Sequence, residues 1–241
     1  EFISMAGKDG IWITGASSGI GKAVALEFAK IGCNVFVSAR RAQELERMKD
    51  EAGKSGENIH PYPCNVASST NVDQTFKKIS SEFEVNCLIN NAGITSFKQA
   101  AENSVNEIND IINTNLLGSI YSIKSVLPSF IKKETGTIIN ILSVVVDKTF
   151  TRSSIYSASK MGLLGYTNSL REEVRSHNIR VINIIPGATE TAMWSQEIRK
   201  EKGELMMNPE SIARIIVSTY LQKDNLVTEE IVLRPITGDL K

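Results

Sequence analysis

A doubly wound α/β fold, with a parallel sheet of about seven strands and helices on both faces, is predicted by three observations. Seven short β-branched apolar runs punctuate the chain, segments of helical periodicity separate them, and a glycine-rich turn follows the first run. Strand-helix-strand alternation over the whole length implies parallel pairing, and right-handed crossovers then cover both faces of the sheet. Ligand chemistry belongs at the carboxyl ends of such strands. At 241 residues, with no internal repeat, low-complexity tract or flexible linker, a single domain over 6–241 is expected. The opening "EFIS" before Met5 is set aside as foreign to the fold.

The first strand is "GIWIT" (10–14); "TGASSGIG" (14–21) turns the chain into a helix from about Gly19. Val24, Ala25, Phe28 and Ala29 form its apolar stripe, and Gly32 supplies a left-handed cap. "CNVFVSA" (33–39) is the second strand and "IHPYPCNV" (59–66) the third. Ser68 offers an N-cap to a helix ending near 83, after which "CLINNAG" (87–93) forms the fourth strand. Helices around 105–133 and 154–177 flank the fifth strand, "GTIINILS" (136–143). "IRVINIIPG" (179–187) and "EEIVLRP" (229–235) complete the sheet, separated by a helix that Asn208 and Pro209 start. The least regular stretch, 188–207, follows a strand end and reads as a mobile lid.

Composition removes several classes of function. With 27 Lys+Arg against 27 Asp+Glu and no basic stripe, nucleic acid is not an expected partner. Cys33, Cys64 and Cys87 are odd in number and widely spaced, which indicates neither disulfides nor zinc; His60 and His177 add too few ligands for a metal site. No apolar run approaches the ~20 residues of a membrane span. No signal peptide is recognisable, so a reducing, cytoplasmic compartment is expected.

"TGASSGIG" admits three chemistries. A P-loop needs glycine five residues before Gly21 and a hydroxyl after Lys22, but Ala16 and Ala23 stand there. Gly15 to Gly19 matches the G-x-S-x-G elbow of a serine hydrolase, with Ser17 as nucleophile. That elbow would need a later base, for which only His177 is available. A dinucleotide cradle suits the context of strand, glycine turn and helix: Gly15, Gly19 and Gly21 permit close backbone approach to a pyrophosphate at a helix N-terminus. Elsewhere Tyr156 and Lys160 form an i, i+4 pair on one helix face. A cation within ~4–6 Å lowers a phenol's pKa from roughly 10, toward the range useful for proton transfer.

Glycines spaced G-x-x-x-G-x-G after Thr14, "NNAG" (90–93), Asn115 in "NTNLLG", Ser143, "YSASK" (156–160) and "PGATET" (186–191) follow in order. Together they resemble the short-chain dehydrogenase/reductase family, in its compact single-domain branch with a Rossmann-type sheet, over essentially all of 8–236. Carbonyl and 3-oxoacyl reductases are the most similar members. The resemblance implies hydride transfer between a nicotinamide cofactor and a small-molecule carbonyl or secondary alcohol, with Tyr156 as general acid/base. It also implies Lys160 on the nicotinamide ribose, Ser143 on the substrate oxygen and Asn115 in a water relay. Cofactor contacts are implied at Gly15, Ser17, Ser18, Gly19, Ile20 and Gly21, at Asn65 and Val66, and at Asn91, Ala92 and Gly93, with Asn90 beside the ribose. Pro186, Gly187 and Thr191, with Thr189 as the alternative hydroxyl, would meet the nicotinamide end. Asn65 stands where the family usually has an aspartate.

The second strand ends "VSARR": Ser38 takes the place of the acidic residue of NAD sites, and Arg40 and Arg41 follow, suited to a 2′-phosphate. NADP(H) is therefore the expected cofactor, with NAD(H) the alternative. Val144, Val145, Val146, Phe150, Met193 and Trp194 line either a substrate pocket or the core. A homotetramer or dimer is implied by resemblance. The competing readings are a dinucleotide-binding protein without turnover and the Ser17 hydrolase.

Overall fold

The computed structural model describes residues 9–222 and 225–240; the expected boundary at Met5 lies outside them. Seven strands form one parallel sheet: β1 (Gly10–Thr14), β2 (Asn34–Ser38), β3 (Ile59–Pro61), β4 (Cys87–Asn90), β5 (Gly136–Ile141), β6 (Ile179–Pro186) and β7 (Glu230–Leu233). Their order is β3-β2-β1-β4-β5-β6-β7. The direction of winding reverses between β1 and β4, which opens a crevice at the carboxyl ends of those two strands.

Pleating sorts the strand residues between two cores. Ile11, Ile13, Val35 and Val37 face the layer of α1 (Gly19–Lys30), α2 (Ala42–Glu51) and α8 (Pro209–Leu221). Trp12, Phe36, Leu88 and Ile138 face α3 (Ser69–Glu82), α5 (Gly118–Lys133) and α6 (Ser154–Val174). The cues read from sequence act as expected: Ser68 accepts from the Asn71 N–H, Asn208 caps α8 with Pro209 in its first turn, and Gly32 closes α1 at φ 88°.

Three differences from the expected elements have local causes. β3 spans only Ile59–Pro61 instead of running to Val66, although the Tyr62 and Cys64 N–H groups still donate to the Val37 (2.9 Å) and Ala39 (3.0 Å) carbonyls, with Pro61 and Pro63 at the alternate positions that donate nothing to β2. The stretch 105–133 is α4 (Val105–Ile112), a π-type turn at Asn113–Leu117, and α5. Within 188–207 lies a short helix, α7 (Gln196–Lys202), capped by Ser195, whose polar sequence gives no apolar stripe to read.

A polar ladder crosses the middle of the sheet. Asn90, Asn140 and Asn183 stand opposite one another on β4, β5 and β6, almost wholly buried. The Asn90 amide donates to Asn140 Oδ1 (3.0 Å), and the Asn140 amide to Asn183 Oδ1 (3.2 Å).

Candidate active site

A cleft of about 640 Å³ opens at the carboxyl end of the sheet and extends from Gly15 to the segment around Leu240. Its floor is the turn between β1 and α1. Gly15 has φ +66°, and a Cβ there would meet Ala92 Cα at 2.6 Å, so both the turn and its neighbour exclude a side chain. Gly21 does not line the cleft; it sits behind the turn, where a Cβ would lie 2.3 Å from the Asn91 amide nitrogen. Asn91 in turn donates to the carbonyls of Thr14 (3.2 Å) and Gly15 (2.9 Å). The Thr14 hydroxyl accepts from the N–H groups of Asn91 and Ala92, tying β4's loop to the turn. Ser18 occupies the N-cap of α1, yet its side chain caps nothing and the first turn carries no acid. The positive end of α1 is thus left to an outside anion.

The adjoining wall corrects one sequence expectation. Ser38 is fully buried toward the opposite face, accepting from the Trp12 indole (3.0 Å) and donating to the Tyr62 carbonyl (2.8 Å). Strand alternation therefore gives Ala39 the place assigned to Ser38, and Ala39 lines the cleft. Arg40 and Arg41 are exposed on its rim, and Arg41 donates to Ser17 Oγ (3.2 Å) across the glycine turn. Asn65 and Val66 border the same end, as do Asn91, Ala92 and Gly93. Asn90 does not; it belongs to the ladder within the sheet.

At the other end Ser143, Tyr156 and Lys160 converge. Ser143 heads the turn Val144–Val146 after β5, and its hydroxyl hydrogen-bonds Tyr156, which projects from the first turn of α6. Lys160, one turn on, donates to the Ile141 carbonyl at the end of β5 (2.6 Å). The expected lowering of the phenol's pKa does not occur. Burial pushes Tyr156 up to about 12, opposed by the bond with Ser143, and pushes Lys160 down to about 8. The ammonium lies 5.8 Å from the ring centroid, so desolvation outweighs the attraction.

Asn115 is fully buried behind the cleft wall. The π-type turn aims its carboxamide at the Ile94 backbone, accepting N–H (2.8 Å) and donating to C=O (2.9 Å). It also donates to Ser159 Oγ (3.0 Å), which donates to the Tyr156 carbonyl (2.7 Å). With all these bonds made within the protein, its geometry is that of a brace between the β4 loop and α6. Ser159 was not singled out from sequence; its only signal is its place within "YSASK".

Pro186, Gly187, Thr189 and Thr191 border the cleft beyond β6, and the two threonines divide the work. Thr189 is buried and donates to the Gly187 carbonyl; Thr191 Oγ accepts from the Met193 N–H. Ser17, Ser18, Gly19 and Ile20 line the opposite side, with Thr191 Cγ2 2.9 Å from where a Gly19 Cβ would stand. Of the apolar candidates, Val144, Val145, Phe150, Met193 and Trp194 reach the cleft, whereas Val146 packs in a small cluster beside it. Thr95, Phe97 and Asp239 line it without having been foreseen. Phe97 stacks on Trp194, centroids 5.0 Å apart and planes 13° apart, joining the β4 loop to the segment 188–207.

Known proteins of this architecture confirm the reading of the family. The short chain dehydrogenase family model matches residues 10–202. This chain belongs to the short chain dehydrogenase family. The dehydrogenase is 34% identical to a sepiapterin reductase of Chlorobaculum tepidum, over 95% of this chain and 97% of that one. It is 30% identical to a 3-oxoacyl-(acyl-carrier-protein) reductase of Thermotoga maritima, over 91% and 93%. Among solved structures, a metagenomic short-chain oxidoreductase in complex with NADP superposes with TM-score 0.84 at 27% identity, covering 99% of this chain and 100% of that one. ElxO with NADP bound gives 0.86 at 28%, covering 94% and 96%.

Family membership makes the dehydrogenase an oxidoreductase with the Rossmann-type fold. The hydrolase reading lacks its base. His177 precedes β6, whose 8 residues separate it from the cleft by roughly 25 Å, while His60 pairs with Asn34 on β2 and β3. No helix among the described residues is long and apolar enough to cross a membrane.

Proposed function

We propose that the dehydrogenase is an NADP(H)-dependent reductase of a small-molecule ketone or aldehyde, and in reverse oxidises the matching secondary alcohol. The observation that carries this is the buried Tyr156 hydroxyl bonded to Ser143 at the cleft, with Lys160 one turn behind. The uncapped α1 and the Gly15 turn suit a pyrophosphate, and the NADP bound by two solved relatives supports the dinucleotide. When bound, that group supplies or accepts the hydride. Tyr156 gives its proton to the substrate oxygen as charge develops there, and takes it back on oxidation. Ser143 hydrogen-bonds the same oxygen, Lys160 holds the nicotinamide ribose, and Asn115 positions α6 through Ser159. Residues 188–207 act as a lid.

NADPH consumption with a panel of ketones and aldehydes tests the reading; no turnover with any of them would count against it. Arg40 and Arg41 carry the proposed choice of cofactor. Arg40→Asp removes a charge-assisted contact to the 2′-phosphate, a loss of roughly 10–100-fold in affinity. The ratio of kcat/KM for NADPH over NADH should fall accordingly, and an unchanged ratio would refute the role of Arg40.

Exposed apolar side chains support a homo-oligomer, tetramer or dimer. Val105 on α4 and Met161 on α6 are 72% and 54% exposed, and Val232 and Ile236 are exposed at β7. Light scattering should give a multiple of the 26.5 kDa chain; a monomer mass would contradict this.

A further inference from the structure

The hydrogen-bond chain through Asn115 reaches the cleft at both of its ends, although its middle does not. Ile94 and Tyr156 line the cleft, whereas Asn115 and Ser159 are fully buried behind its wall. Ser159 is the joint of the chain. Its Oγ accepts from the Asn115 amide (3.0 Å) and donates to the Tyr156 carbonyl (2.7 Å), one turn back on α6. Helical geometry already gives that carbonyl the Lys160 N–H, so the Ser159 hydroxyl takes its remaining lone pair. A serine bonded back to its own helix in this way ordinarily serves that helix alone. Here the same oxygen is tied to a second element, because Asn115 also holds the N–H (2.8 Å) and the C=O (2.9 Å) of Ile94. Tyr156 is therefore held at both ends, at its phenol by Ser143 and at its carbonyl by Ser159.

We infer that Ser159 is a positioning residue for proton transfer: its hydroxyl sets the place of Tyr156 relative to the Ile94 wall of the cleft. The inference rests on the reductase reading above, in which Tyr156 gives its proton to the substrate oxygen. Ser159 does not line the cleft, so it acts only through the tyrosine. Hydride transfer depends on how the nicotinamide sits, whereas proton transfer depends on how Tyr156 sits. Displacing a reacting group by about 1 Å costs up to ~100-fold in rate. Loss of the joint should therefore slow the proton step selectively.

Single turnovers of NADPH with a carbonyl that the wild type reduces test this in stopped flow. Ser159→Ala should lower the rate by about ten-fold and leave the NADPH dissociation constant within about two-fold of wild type. The solvent deuterium isotope effect on that rate should grow, because the proton step becomes limiting; a smaller folded fraction would leave the effect as it was. Asn115→Ala combined with Ser159→Ala should be no slower than Asn115→Ala alone, since both changes break one chain. A Ser159→Ala rate within about two-fold of wild type, a fall without a larger isotope effect, a fall matched by weaker NADPH binding, or losses that multiply in the double variant would each overturn the inference. If Asn115→Ala does not fold, the rate, isotope effect and NADPH binding of Ser159→Ala decide alone. A wild type that reduces no carbonyl defeats the reductase reading and this inference with it, whereas an active wild type beside an unaltered Ser159→Ala defeats the inference only.

Discussion

Tyr156→Phe is expected to lower kcat for carbonyl reduction by about 10²–10⁴-fold while leaving NADPH affinity nearly unchanged. The substitution removes one oxygen from a side chain whose ring is buried at the start of α6, so packing survives and only the hydroxyl proposed as proton donor is lost. Ser143 remains, but a hydroxyl with a far higher intrinsic pKa is a poor substitute. Burial has a directional consequence for pH. A phenol raised to about 12 stays protonated throughout the neutral range, so reduction has its donor ready. Oxidation needs the phenolate, whose share grows tenfold per pH unit below that value, so its rate should climb with pH. The neighbouring Lys160 loses its charge above about 8, which further disfavours the phenolate and flattens the climb. Stopped-flow hydride transfer in both directions checks this; a Phe variant keeping more than half of wild-type turnover would remove Tyr156 from the chemistry.

Asn140→Leu should produce the largest loss of stability among conservative changes away from the cleft. Asn140 is the middle rung of the amide ladder, and its removal strands both the Asn90 amide and the Asn183 carbonyl oxygen inside the sheet. Each stranded group costs about 1–3 kcal/mol. For a chain of this size that corresponds to a fall in Tm of roughly 10 °C. Replacing Asn90, Asn140 and Asn183 together with leucine should recover much of the loss, because no polar group is then left unpaired. Thermal melts of the single and triple variants decide the matter: equal losses would mean that the amides contribute through shape rather than hydrogen bonding.

The sheet was legible because its strands are buried on both faces and read as unbroken β-branched runs, with Gly15, Gly32, Ser68 and Asn208 marking where each segment turns. The floor of the cleft was legible for the same reason: Gly15 and Gly19 occur where a strand meets a helix. What escaped depended on facing and on distance. Ser38 and Ala39 are adjacent in sequence but point to opposite faces, so an assignment one residue off placed the wrong side chain at the cleft. The Tyr156–Lys160 spacing gives proximity but not burial, and burial sets the sign of the pKa shift. Asn115 owes its direction to a π-type turn with no sequence signature. Thr95 and Asp239 lie in irregular segments that reach the cleft only in the folded chain.

The clamp between Thr14 and Asn91 bears on how the enzyme acquires its binding site. The carbonyls of Thr14 and Gly15 are held by a side chain more than 70 positions away, in the loop just after β4, the strand that pairs with β1 on the side opposite β2. An N-terminal fragment containing every glycine of the turn would therefore have the residues of a phosphate cradle without its shape. Assembly of the cradle is a non-local event that needs the closure of a long chain loop. Dinucleotide capture during refolding should thus lag behind the helix signal and coincide with the docking of β4.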